Sequence, residues 1–136
     1  MAERETTRAL AHPDRAEIRL EGVLHALSDP LRMSIVRDLA SSDTELACSH
    51  FALPVTKSTT THHFRVLRES GVVRQTYAGT TKLNGLRDAD LEALFPGLLD
   101  SVLQAAGAQE ARLANTSAAD PTADPVTARD TTEVMA

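Results

Sequence analysis

At Gly71 the spacing of this chain changes from that of a helix to that of a strand. Upstream, Thr60, His63, Phe64 and Leu67 recur at i, i+3, i+4 and i+7, which places them on one helix face. Downstream, residues 72–77 are rich in β-branched side chains, Ala78-Gly79 reads as a turn, and residues 80–86 return as a second strand. The helix predicted over 57–70 is capped by Thr56 and ends where a glycine tolerates the left-handed backbone. A helix, a glycine stop and a hairpin in immediate succession leave few folds open to a short chain.

The flanking segments narrow the choice. Residues 14–27 read as a helix with Ile18, Val23, Leu24 and Leu27 apolar. Ser28-Asp29-Pro30 supplies a cap and a proline at the first helical position, a specific start signal for a helix over 31–40. A break at 41–43 precedes a short helix predicted over 44–51 and a turn over 52–56. After the hairpin, residues 88–95 are helical, Pro96-Gly97 interrupts, and 98–106 resumes. The fold class is mainly α with a small β-hairpin, an α+β winged helix-turn-helix. The expected organisation is a loose leader over 1–13, one domain over 14–107 and a disordered acidic tail over 108–136.

The net charge of −5 argues at first against nucleic acid, but its distribution reverses that reading. Residues 42–85 carry five Lys and Arg against three acids, a local +2, while residues 86–136 sum to −6. The local field at a contact surface matters more than the total. Within the predicted helix, Ser58-Thr59-Thr60-Thr61 is a run of mediocre helix formers. Such a conflict is expected where function overrides stability. With Thr60, His63, Phe64 and Leu67 inward, the other face holds Lys57, Ser58, Thr59, Thr61, His62 and Arg65. Hydroxyls bond phosphates or base edges, and the cations neutralise phosphates. Arg74, Thr80 and Lys82 flank the hairpin turn as a basic wing. Double-stranded DNA is therefore the expected partner.

These residues resemble a known family. Ala26-Leu27-Ser28-Asp29-Pro30-Leu31-Arg32, Glu45-Leu46 with Phe51, residues 58–71 ending Val66-Leu67-Arg68-Glu69-Ser70-Gly71, and Val72-Val73-Arg74 through Gly79 and Leu83 are similar to the signature segments of the ArsR/SmtB-type bacterial transcriptional regulators. The resemblance implies a homodimer whose interface comes from the first and last helices, with Leu20, Leu24, Leu94, Leu98, Leu99 and Val102 as the candidate contacts. It also implies a pseudo-palindromic operator and, most often, repression relieved by an inducer that is frequently a metal.

The metal-ligand positions depart from the pattern. The cysteine pair of arsenic and cadmium sensors falls on Ala47 and Ser49, and the zinc and nickel positions fall on Asp88, Asp90, Ser101 and Gln104. A soft multi-thiolate site is out of reach of one thiol, and the second set lacks imidazoles. Cys48 and His50 remain as candidate ligands for nickel or zinc, with His12 or His25 as further donors. Cys48 alone offers a redox reading, and it excludes an internal disulfide framework. A protein-interaction module without DNA binding is the reading from another class. No Gly-rich phosphate loop or nucleophile triad points to an enzyme. No apolar run has the length of a membrane span, and the charged N-terminus lacks a signal-peptide core, so a cytoplasmic protein is expected.

Overall fold

The structure, a computed structural model, describes residues 7–119. The chain divides into two compact units, residues 1–102 and 103–136. The first unit begins with strand β1 (Thr7–Ala9) and a 3-10 turn (Arg15–Glu17), followed by α1 (Leu20–Leu27) and α2 (Pro30–Ala40). Strand β2 (Leu46–Ala47), a second 3-10 turn (Cys48–His50) and α3 (Lys57–Glu69) come next. The hairpin β3 (Val73–Ala78) and β4 (Thr81–Leu86) precedes α4 (Asp88–Leu94) and α5 (Leu98–Ala119). In the second unit the described residues are the helical run 103–119.

The Ser28-Asp29-Pro30 signal works as read. The Asp29 carboxylate accepts from the amides of Leu31 at 2.9 Å and Arg32 at 3.0 Å, opening α2 one residue earlier than predicted, at Pro30. Helix α3 ends in a Schellman motif: Val72 N donates to Leu67 O at 3.0 Å and Gly71 N to Arg68 O at 3.1 Å, with Gly71 at φ +88°. The hairpin pairs Val73 with Leu86 through Ala78 with Thr81, leaving a two-residue turn in which Gly79 takes φ +66°. Around these elements Ile35, Val36, Leu67, Val72 and Val73 are fully buried at 0 % exposure.

Four expectations are corrected. The segment 44–51 is not a helix: Leu46 and Ala47 pair with Asn84 and Leu83, because the outer edge of β4 offers backbone partners to any strand laid beside it. The helix read over 14–27 is interrupted. Glu17 closes a capping box on the Asp14 amide at 2.8 Å, Ile18 and Arg19 turn extended, and Ile18 is buried against Gly71. The leader is not loose at 7–9, where Thr7, Arg8 and Ala9 pair with Ala78, Tyr77 and Thr76 of β3. Among the described residues the sheet therefore has four strands in the order β1-β3-β4-β2. Finally, α5 continues to Ala119, since an alanine-rich run holds a helix without a large apolar face. The remainder of the expected tail, 120–136, lies outside the described residues.

Candidate nucleic-acid interface

Helix α3 presents the face that its spacing demands. His63, Phe64 and Leu67 are buried and Thr60 is half-buried, while Lys57, Ser58, Thr61, His62 and Arg65 are exposed and Thr59 is intermediate. The Thr56 hydroxyl accepts from the Thr59 amide at 3.2 Å and donates to the Thr59 hydroxyl at 2.9 Å. The hydroxyl run thus begins by capping its own helix. Inward, Phe64 packs edge-on to Phe51 with centroids 5.3 Å apart. His63 is fixed by a neighbour the sequence reading named only as part of a motif: Arg32 Nη1 lies 3.1 Å from His63 Nδ1. Arg32 also donates from Nε to the Ala26 carbonyl at 2.8 Å and from Nη2 to the His25 carbonyl at 3.3 Å. One guanidinium therefore closes the C-terminus of α1 and seats α3.

Beside α3 stands the hairpin, and between them runs a groove of about 640 Å³. Lys57, Thr60 and Thr61 line one wall, Tyr77, Thr80, Thr81 and Lys82 the other, with Cys48, Phe51 and Phe64 between them. The groove is floored by rings and rimmed by hydroxyls and two ammonium groups. Such a rim suits a polyanionic ribbon better than a neutral ligand.

The helix-turn-helix domain family matches residues 27–76, from the end of α1 into β3. The uncharacterized HTH-type transcriptional regulator YceK of Bacillus subtilis (strain 168) is 33 % identical over 82 residues, covering 59 % of this chain and 82 % of that one. The chain belongs to the helix-turn-helix transcriptional regulators. The matched helix-turn-helix domain takes in α2, α3 and the start of the hairpin described above. A crystal structure of an ArsR family transcriptional regulator aligns at 20 % identity with a TM-score of 0.49, over 69 % of this chain and 88 % of that one.

The regulator's other expected site residues are distributed unevenly. Thr80 and Lys82 share the groove wall, but Arg74 does not. Strand alternation sends Arg74 to the opposite side of the sheet, where it lines a separate depression with Asp43, Glu45 and Asp88. Among the candidate dimer residues, Leu20 and Leu24 are 43 % and 46 % exposed and Leu94, Leu98 and Val102 are half-buried. Leu99 is only 7 % exposed, already covered by its own chain. Cys48 and His50 diverge. The thiol lies 3.2 Å from Asn84 Nδ2, whereas the His50 ring packs edge-on to Phe51 at 5.1 Å. Asp90 is taken up by Arg15 at 2.8 Å and Arg87 at 2.9 Å. The Arg15 hydrogen bond, and after it that of Arg87, holds the Asp90 carboxyl below its ordinary range against the opposing pull of burial. Among the described residues no group of three or more His, Cys, Asp and Glu side chains is placed to hold a metal ion.

Two buried amides that sequence reasoning missed join helix to wing. Gln75 and Asn84 are both 0 % exposed and sit opposite each other on the inward face of the hairpin. Gln75 Nε2 donates to Asn84 Oδ1 at 2.8 Å, Arg68 Nη1 of α3 donates to Gln75 Oε1 at 2.6 Å, and Asn84 Nδ2 donates to the Leu46 carbonyl at 3.1 Å. Buried networks of this kind favour one arrangement of the elements they join, although Arg68 Nε is buried here without a hydrogen-bond partner. The available signal was parity: Gln75 follows Val73 on the inward face by period two.

His12 extends this network. Its Nε2 accepts from the backbone N–H of Gln75 at 2.9 Å, so the ring proton resides on Nδ1. Burial pulls its pKa below the ordinary 6.5; the Leu10 carbonyl opposes this, and Arg87, Arg68 and Arg74 reinforce it. The unfolded chain therefore takes up this proton at higher pH than the folded one. The contribution of His12 is fully present above about pH 6.5 and is lost as pH falls through that value toward the lowered one. The urea midpoint of the wild type is expected to fall between about pH 7 and pH 5. In His12→Asn, which keeps an acceptor but does not titrate, the fall should be shallower. Equal slopes would remove His12 as the cause.

Proposed function

We propose that this regulator is a homodimeric repressor that binds a pseudo-palindromic operator, with α3 in the major groove and the β3–β4 wing against the backbone. The observation that carries the reading is the exposed edge of Lys57, Ser58, Thr61, His62 and Arg65, of which Lys57 and Thr61 line the groove shared with Lys82. Hydroxyls and cations at the start of a helix contact phosphates and base edges together, and the helix N-terminus favours the same anions. The exposed Leu20 and Leu24 of α1, with Leu94 and Leu98 at the other end of the first unit, support a second copy as the partner. A two-fold pair of recognition helices reads half-sites one helical turn apart.

The test is fluorescence anisotropy with duplexes from upstream of the regulator's own gene, titrated against salt. Binding with two chains per duplex is expected, with log K falling linearly as log salt rises. Arg65→Ala should weaken operator binding by about 1–3 kcal/mol, roughly five- to 150-fold. Repeating the titration with Zn²⁺, Ni²⁺ and a chelator reads any metal response directly. Absence of binding at low salt would sink the repressor reading and leave a protein-interaction module.

A further inference from the structure

We infer that β1 is a third strand of the wing and that it delivers Arg8 to the DNA backbone as a contact independent of sequence. The inference rests on the DNA-binding reading above and adds to it an element outside residues 27–76, the part matched by the helix-turn-helix family.

The placement follows from register. Arg8 lies opposite Tyr77, and Tyr77 lies opposite Lys82, so the three form one row across β1, β3 and β4. Residues directly opposite in an antiparallel pair share a face of the sheet. That face is the one turned to α3, since Tyr77 and Lys82 line the groove. The Arg8 guanidinium is 4.8 Å from the Tyr77 ring centroid and the Lys82 ammonium is 5.5 Å from the same centroid. Arg8 is also exposed.

Charge then selects the partner. Among the described residues neither Arg8 nor Lys82 is paired with a carboxylate. Two cations gathered at one ring repel each other, and the ring's face offsets only part of that. An anion at the rim relieves the repulsion, and a phosphodiester running between α3 and the wing passes this point. Arginine suits the task because its planar fork meets phosphate oxygens in pairs.

The strand is held firmly enough to make the contact. Beyond the β1 ladder, the Leu10 amide donates to the Gln75 carbonyl at 3.2 Å and His12 accepts from the Gln75 amide at 2.9 Å. Further on, Arg87 Nη1 donates to the Pro13 carbonyl at 2.9 Å. The arm is thus fixed on both sides of Gln75.

The experiment compares wild type, Arg8→Ala and Arg8→Lys in the full chain. Affinity is measured against salt on an operator duplex and on an unrelated duplex of equal length. Arg8→Ala should lose about three- to tenfold on both duplexes alike, and the slope of log K against log salt should flatten by about 1 per chain. Arg8→Lys should retain most of the slope. Matching thermal midpoints confirm that the exposed substitution leaves the fold intact. An unchanged slope in Arg8→Ala, or a loss confined to the operator, would overturn the backbone role while leaving the DNA-binding reading standing. Failure of the wild type to bind either duplex would bring down both.

Discussion

Gly71→Ala is expected to destabilise the first unit by about 3 kcal/mol, combining a left-handed backbone cost with overpacking. A Cβ at position 71 would stand 2.5 Å from Ile18 Cγ1 and 2.6 Å from Ile18 Cδ1, and the backbone there holds φ +88°. Neither problem relaxes easily. Rotating φ breaks the two hydrogen bonds that close α3, and Ile18 is 7 % exposed with little room to retreat. Gly79 provides the control. It also has positive φ, at +66°, but nothing lies within 4 Å of its Cβ position. Gly79→Ala should therefore cost only the backbone part, about 1–2 kcal/mol. Urea unfolding of both variants separates the two contributions. Equal losses would show that the Ile18 clash contributes nothing.

Arg32→Leu is the second large effect, also about 3 kcal/mol, because buried groups that lose a charged donor keep their desolvation cost. The side chain is 7 % exposed, so water has little access to replace it. The His25 carbonyl retains bonds from the Ser28 amide and hydroxyl, at 3.2 and 2.7 Å. The Ala26 carbonyl and His63 Nδ1 are left without the guanidinium. Arg32→Lys should recover only part of the loss, since one ammonium cannot serve three acceptors in a plane. His63→Leu added to Arg32→Leu should cost less than His63→Leu alone, a coupling that a double-mutant cycle reads directly. Additive losses would mean that Arg32 does not act through His63. The partial burial of Asp29 raises its carboxyl. The backbone amides of Arg32 and Leu31, with the Arg32 charge, outweigh that and hold it below its ordinary range. The motif Ser28-Asp29-Pro30-Leu31-Arg32 is thus a joint between α1, α2 and α3.

Elements fixed by local physics were legible in the sequence. The stop at Gly71, the cap at Asp29 and the inward set of His63, Phe64 and Leu67 depend on neighbours within a few positions. Elements that depend on distant partners were not. Thr7–Ala9 carries no strand signature and is a strand only because β3 has an open edge. Leu46 and Ala47 likewise extend because β4 accepts them, against a local pattern that suited a helix. The placement of Arg74 turns on parity rather than on a distant partner. Its charge grouped it with Lys82, although strand parity sets it on the other face. Arg8 was overlooked for the related reason that a leader read as loose cannot position a side chain.

The pairing of Thr7 with Ala78 closes a loop of about 70 residues, one of the longest separations in the described sheet. Local pieces such as α3 and the β3–β4 hairpin need no such closure and can form early, whereas β1 must wait until its template strand exists. During synthesis the segment around Arg8 is made long before Tyr77 and spends that interval without its partner. β1 can therefore enter the sheet only after β3 is made, whereas the β3–β4 pairing needs no earlier segment.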